Sequence, residues 1–411
     1  MEQINSLTSK PTTKVLIVGG GFGGVSTALN LAKANRSNLH INLVSDRSHF
    51  EYHAALYRLV AGSSPLEVCI PLREIFKNTA VEINIEKITH IDLEKSIALG
   101  DAGSRYPFDY LVLAVGSDTV YFNIPGLKEN SFGFKSIAEA LALNKHLNSV
   151  FSQCPAQDPL TKECLAHMVV VGGGASGVEL AGELAQFTKK LSTQYTVDPK
   201  FVKIDLVERA ERVLPTLPPE ISQRVQDRLK SLGVNVLLNK EVVKEDIESL
   251  FLKDMEMKTK TVVWTAGVRA NPLYESIKQF EFGRGFKVVV DEYLLAKGSS
   301  NIFVIGDGAD TKYSGMAQTA ILHGEIAAKN ILNPCSVKVS ETPPQYCVPV
   351  GRGWSVFYKE GSTPKYGYIG WIHRRLLDFK VFRFLLPFNK ALDAFKSGRS
   401  VCDSCDVCSV N

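Results

Sequence analysis

Two glycine-rich runs carry the first chemical signal in this chain. Gly19-Gly20-Gly21-Phe22-Gly23-Gly24 and Gly172-Gly173-Gly174-Ala175-Ser176-Gly177 both fit the pattern G-x-G-x-x-G. The spacing has a physical reason. The first glycine of such a run permits a tight turn, the second lets the backbone approach a pyrophosphate, and the third lets a helix pack closely on the preceding strand. Gly19, Gly21 and Gly24 take these roles in the first run, and Gly172, Gly174 and Gly177 in the second. Phosphates then lie at the positive end of the helix that follows. One such run is a weak signal. Two of them, each placed between a strand-like and a helix-like stretch, indicate a chain that binds two dinucleotides.

The second strand of each unit should end in a carboxylate that meets a ribose hydroxyl. In the second unit this residue is Glu208. Its charge would repel a 2′-phosphate, which favours NADH over NADPH, although Arg209 is adjacent. In the first unit the expected position is Ser45, with Asp46 one residue later as the candidate acid.

The elements that must position these residues follow from the hydrophobic pattern. Residues 14–19 (KVLIVG), a helical stretch 25–34 and a second apolar run 41–44 read as β-α-β. The same order returns at 168–172, 178–190 and 203–207. Residues 110–116 (YLVLAVG), 262–267 (VVWTAG) and 301–308 (NIFVIGDG) are further strands ending in glycine, and 136–149 reads as a helix. Residues 334–350 read as a linker. The expected fold class is therefore α/β, with two Rossmann-like dinucleotide-binding domains followed by a basic C-terminal region.

Length and composition agree. The chain has 411 residues, 45% of them hydrophobic and 22% charged, which suits a globular protein of several domains. The net charge of +4 gives no argument for nucleic acid. Its distribution is more informative. Residues 351–400 hold ten Lys/Arg against three Asp/Glu, so the basic excess belongs to that segment.

Together with LVLAVGS (111–117), VVWTAG (262–267) and IGDGA (305–309), the two turns resemble the two-dinucleotide-binding-domain flavoproteins over residues 14–332. Within that group, SGVELAGEL (176–184) and AQTAILHG (317–324) look most like type II NADH:quinone oxidoreductases and their apoptosis-inducing-factor-type relatives. The resemblance implies that the first turn holds FAD and the second NADH. It implies that Asp307 hydrogen-bonds the flavin's ribityl or pyrophosphate region, and it counts Gly116, Gly267 and Ala317 among the cofactor contacts. The resemblance also implies that the second domain is inserted in the first: the FAD domain would comprise residues 1–125 and 262–332, the NADH domain 135–261, and the C-terminal region 333–411. Glu179 would lie near the flavin–nicotinamide junction, orienting the carboxamide or assisting a proton movement, or else be an ordinary acid of a first helical turn. Gln318 would line a quinone site. The chain departs from the family at Leu322-His323, where a Gln pair is typical; His323 would hydrogen-bond or protonate a quinol, or serve as a structural residue. The implied activity is electron transfer from NADH through FAD to quinone, without proton pumping. The rivals are a slow redox-sensing or interaction flavoprotein of the apoptosis-inducing-factor type and a sulfide:quinone reductase using Cys164 or Cys154 with Cys347.

The eight cysteines are sparse, as expected in a reducing compartment. Cys402, Cys405 and Cys408 form two successive C-x-x-C spacings; three thiolates alone do not complete a four-ligand site, so no metal is assigned, and the readings are an exposed silent tail, a redox tail, or metal binding with a fourth outside ligand. Cys408 also stands at a C-a-a-X position that ends in an unusual Asn. No apolar run is long enough to span a bilayer, and the opening residues show no targeting pattern. Residues 371–388 (WIHRRLLDFKVFRFLLPF) mix cations with large apolar side chains. They read as an interfacial anchor, with Arg374, Arg375, Lys380 and Arg383 on anionic headgroups and Trp371, Phe379, Phe382 and Phe384 in the acyl boundary. A homodimer contact or a cap on the flavin domain is the rival reading. The expectation is a peripheral protein on the cytoplasmic side of a membrane.

Overall fold

The computed structural model describes residues 12–340 and 342–397. The triple-cysteine tail lies outside the described residues. Two compact units are present, each discontinuous in sequence. One contains the chain up to Phe50, Pro71–Asp118 and Arg269–Thr342; the other contains Glu51–Ile70, Thr119–Val268 and the chain from Pro343 onward.

The first unit is built on a five-stranded parallel sheet in the order Ile302–Val304, Tyr110–Leu113, Thr13–Val18, Leu39–Ser45, Val81–Ile85. Thr13–Val18, Tyr110–Leu113 and Ile302–Val304 present apolar runs on both faces because both faces are covered, whereas the edge strand Val81–Ile85 alternates and is partly exposed. Leu16, Val18, Leu111 and Leu113 pack with Ile88, Ile91, Ala98 and Tyr106 of a three-stranded antiparallel sheet and with Tyr274. The helices Phe22–Lys33 and Ala317–Leu332 pack on each other, with Ser26 Oγ donating to the Ile321 carbonyl at 2.7 Å.

The second unit repeats the plan. Its parallel sheet runs Phe132–Gly133, Thr261–Trp264, His167–Val171, Lys203–Val207, Val234–Leu237. Val169, Val171, Val207 and Trp264 pack with Leu250, Leu252 and Met257 of a second three-stranded antiparallel sheet. The helix Ile137–Gln153 begins with a capping box. Ser136 Oγ accepts from Glu139 N at 3.2 Å, and Glu139 reaches back to accept from Lys135 N and Ser136 Oγ.

Residues 345–349 of the expected linker are a strand, Gln345–Pro349, paired antiparallel with Ser355–Lys359. The hairpin leads into the helices Gly367–Leu385 and Phe388–Ser397. Two glycines permit this packing. A Cβ at Gly182 would come within 2.7 Å of the Gly351 nitrogen, and one at Gly370 within 2.0 Å of the Ser355 carbonyl oxygen. The hairpin thus lies directly on the Ala175–Tyr195 helix, and the Gly367–Leu385 helix lies on the hairpin.

Glu245, in the strand Val242–Asp246, is only 3% exposed, and its Oε2 has no hydrogen-bond partner. Burial pushes its carboxyl up to about 8. A carboxyl raised in the folded state adds stability that is complete below its unfolded value and is lost as pH rises through about 8. Glu245→Gln should therefore stabilise the protein at pH 9 relative to wild type by roughly 2–3 kcal/mol, with most of the gain gone by pH 5. Urea unfolding at the two pH values measures this, and an equal effect at both would contradict it.

Candidate functional site

The first glycine turn adopts the geometry its spacing predicts. Gly19 has φ +113°, and the peptide then turns into the Phe22–Lys33 helix. A Cβ on Gly24 would stand 1.9 Å from the Gly19 carbonyl oxygen, whereas one on Gly21 would meet nothing within 4 Å. The second turn reproduces each value closely. Gly172 has φ +115°, a Cβ on Gly177 would stand 1.9 Å from the Gly172 oxygen, and Gly174 faces open space. Two of the three positions are thus glycine because the backbone demands it, and Gly21 and Gly174 leave free volume beside a helix N-terminus. That is the cradle a pyrophosphate needs.

Strand register locates the ribose acids. Val18 pairs with Val44 and Val171 with Val207, so Ser45 and Glu208 hold the same place in the two units. Glu208 Oε2 accepts from Gly173 N at 2.5 Å and Oε1 from Ala210 N at 2.7 Å. The two backbone donors fix the carboxylate and leave it acceptor capacity, since a carboxylate takes about four hydrogen bonds. In the first unit Ser45 Oγ accepts from Arg47 N at 3.2 Å. Asp46 follows one residue beyond this position and is exposed.

Asp307 lies in the turn Gly306–Gly308 that follows the strand Ile302–Val304. Its Oδ2 accepts from Ser117 Oγ at 2.6 Å, and Gly116, at φ +72°, precedes that serine. The turn and Ser117 stand at the carboxyl ends of neighbouring parallel strands, where open α/β sheets bind ligands. Sequence reasoning missed Ser117, although LVLAVGS contains it.

His323 supports this turn from below. Gly306 N donates to its Nδ1 at 3.2 Å, the ring is buried, and burial lowers its pKa to about 4. Its Nδ1 is thereby engaged by the backbone and burial favours the neutral ring, which agrees with the reading of His323 as a structural residue. Ala317 and Gln318 open the Ala317–Leu332 helix, with Gln318 exposed. In the second unit, Gly267 follows the strand Thr261–Trp264, and a Cβ there would meet the Phe122 ring at 2.6 Å.

Glu179 belongs to a buried charge cluster that the sequence did not reveal. It sits in the Ala175–Tyr195 helix, its side chain 12% exposed and 3.7 Å from Arg374 Nη1. Arg374 comes from the Gly367–Leu385 helix, where the i, i+4 spacing aligns it with Asp378 at 3.0 Å. Asp378 is fully buried; it also accepts from Arg58 Nη2 at 2.5 Å and from Tyr52 Oη at 2.7 Å. Arg374 further donates to the carbonyls of Cys347 and Ala54. Burial alone would raise the Asp378 carboxyl, but Arg374 and Arg58 outweigh it and hold it at about 2. For Glu179 burial wins over Arg374 and Arg58, and its carboxyl rises to about 7.

These contacts correct the reading of the C-terminal segment. Arg374 and Phe382 are buried, and Arg375 is turned toward Asp378 and the Phe395 carbonyl rather than toward lipid. On the Gly367–Leu385 helix the exposed large apolar residues are Tyr368, Ile369, Ile372 and Leu376, whose spacing places them on one face; Phe388, at the start of the next helix, is also exposed. No helix among the described residues is long and apolar enough to cross a membrane. The cysteines do not favour sulfide chemistry. Burial raises the Cys347 thiol to about 11, whereas a nucleophilic cysteine needs a lowered value. No cluster of metal-ligating side chains exists among the described residues.

Two parallel sheets with equivalent glycine turns, and an acid at the carboxyl end of the first, define a flavoprotein with two dinucleotide-binding folds. Residues 13–324 match the family described as pyridine nucleotide-disulphide oxidoreductase. The chain is 30% identical over 383 residues to the type II NADH:quinone oxidoreductase Ndh of Mycobacterium tuberculosis, covering 87% of this chain and 82% of that protein. It is 31% identical to the type II NADH:quinone oxidoreductase of Staphylococcus aureus, covering 77% and 81% respectively. Among solved structures it superposes on an NDH2 from Plasmodium falciparum in complex with NADH with a TM-score of 0.84 at 20% identity, covering 93% of this chain and 97% of that one. The sulfide:quinone oxidoreductase of Aquifex aeolicus shares the fold with a TM-score of 0.77 at 19% identity, covering 96% and 98%. The chain belongs to the pyridine nucleotide-disulphide oxidoreductase family and, within it, to the type II NADH:quinone oxidoreductases.

Proposed function

We propose that this protein oxidises NADH and reduces a quinone with FAD as its resident cofactor, without pumping protons. The observation that carries the reading is the pair of equivalent glycine turns, each with an open cradle, in a chain of this family. Bound FAD supplies the two-electron redox chemistry. The residues of the chain do the rest. Gly19, Gly21 and Gly24 admit the pyrophosphate of FAD, and Asp307, steadied by Ser117, binds its polar chain beside Gly116 and Ala317. Gly172, Gly174 and Gly177 admit NADH, Glu208 takes a ribose hydroxyl, and Gly267 closes that site. Gln318 contributes to the acceptor site. Glu179 is the carboxyl that holds or releases a proton near neutral pH. Steady-state NADH oxidation with a short-chain quinone tests the reading. Rapid quinone-dependent turnover supports it, while a reduced flavin that persists in the presence of quinone would favour a slow redox sensor and overturn it.

Cofactor choice follows from Glu208. The wild type should use NADPH at least about 100-fold less efficiently than NADH, and Glu208→Gln should narrow the gap by about tenfold, which is about 1.4 kcal/mol. Comparison of kcat/KM for both nucleotides decides this, and equal use by the wild type would refute it.

The exposed face Tyr368, Ile369, Ile372 and Leu376, flanked by exposed Lys380 and Arg383, supports peripheral attachment to the cytoplasmic side of a membrane. The double change Ile372→Ser with Leu376→Ser should cut co-sedimentation with anionic liposomes at least about fivefold while leaving flavin content intact. Unchanged co-sedimentation, or a change in oligomeric state instead, would point to a homodimer contact on this face.

A further inference from the structure

We propose that Arg374 is a positioning residue for Glu179: the buried guanidinium of the Gly367–Leu385 helix sets the charge and orientation of a carboxyl on the nucleotide-binding helix. The relevance of this to turnover rests on the reading of Glu179 given above.

The geometry supports a relay between elements far apart in sequence. Arg374 is 3.7 Å from Glu179 on one side and 3.0 Å from Asp378 on the other. Its Nη1 and Nη2 also donate to the Cys347 and Ala54 carbonyls, so contacts from three separate segments hold its plane. The ring of Tyr57 lies 5.9 Å from its guanidinium carbon. The close packing at Gly370 fixes the helix that carries it. The arginine thus cannot follow Glu179 if the carboxylate moves; the carboxylate must come to it.

The charged and titratable groups facing Glu179 are few. They are Arg374 and Asp378 from the Gly367–Leu385 helix, Arg58 and Tyr57 from the Leu56–Val60 helix, and Cys347 from the strand Gln345–Pro349. The two arginines favour the ionised carboxylate, and burial and Asp378 oppose it. An opposite charge at this distance holds a carboxylate down by about one to three pH units. Without Arg374, Glu179 would be protonated throughout the neutral range. With it, the group is poised to change charge there, and any displacement of the C-terminal helix moves that balance.

The test is a ¹³C NMR titration of the Glu179 carboxyl in the FAD-loaded protein, assigned by Glu179→Gln. In Arg374→Gln the midpoint should rise by at least about one pH unit. In Arg374→Lys, which keeps a charge but loses the planar fork, it should lie between wild type and Arg374→Gln. An unmoved midpoint in either folded variant overturns the proposal, even if turnover falls, because a merely structural arginine would lower activity without moving Glu179. If the midpoint moves as expected and NADH:quinone turnover keeps its wild-type pH profile, the role of Arg374 stands. It is then the place of Glu179 in the reaction that falls.

Discussion

Replacing Gly24 with valine should yield protein with less than about a tenth of the wild-type flavin content. The Cβ that any other residue brings to this position would stand 1.9 Å from the Gly19 carbonyl oxygen and 3.1 Å from its carbon. Both obstacles are backbone, so no side-chain rotation relieves the clash. Gly19, at φ +113°, cannot readily be moved without losing the turn. The Phe22–Lys33 helix would have to shift away from the sheet, taking with it the N–H groups that would face a pyrophosphate. Gly21→Ala separates the two reasons for glycine. Gly21 has φ −84° and free space around it, so alanine is conformationally acceptable there. That variant should fold with stability within about 1 kcal/mol of wild type, yet hold FAD poorly because its methyl group occupies the cradle. Flavin absorbance per polypeptide and urea unfolding measure the two effects. Full flavin content in Gly24→Val would refute the assignment of the first turn. Gly177→Val, by the same 1.9 Å contact with the Gly172 oxygen, should retain FAD and lose NADH binding.

Asp378→Ala should destabilise the second unit by about 3–5 kcal/mol. The carboxylate is wholly buried and is contacted by Arg58, Arg374, Arg375 and the Tyr52 hydroxyl. Its removal leaves Arg58 and Arg374 close together in a poorly solvated place with no counter-charge from that side chain. The loss should be partly recovered by adding Arg58→Met, since the second change removes a charge that the first left uncompensated. Additivity of the two losses would argue against a coupled cluster. The pH dependence has a defined sign. Asp378 is held at about 2, below its ordinary value of 3.8, so its contribution is present above 3.8 and is lost as pH falls through about 2. Wild type and Asp378→Ala should therefore converge in stability toward pH 2.

The phosphate-binding turns were legible in the sequence because their requirements are local. A turn at positive φ, a close helix–strand contact and an open approach each demand glycine within six residues, and no distant partner is needed to recognise them. Glu208 was legible for the same reason, since strand length and register fix its distance from the turn. Asp46 was legible only as a candidate, because the end of a strand is uncertain by a residue, and the strand pairings put Ser45 in the register that Glu208 holds in the second unit. His323 had two readings from its sequence context, and only the structure shows the buried hydrogen bond from Gly306 that favours the structural one.

What the sequence alone determined, then, is the α/β class, the two dinucleotide turns and the family. What only the tertiary structure decided is the partnership of residues distant in the chain. The mixture of cations and aromatics in 371–388 resembled a surface anchor because composition does not say which side of a helix faces inward. Arg374 and Asp378 are four residues apart and share a face, and that face is buried on Arg58, Tyr52 and Glu179. Ion pairing across such distances leaves no periodic trace in a sequence, since it depends on where three segments meet rather than on the order of residues within any one of them.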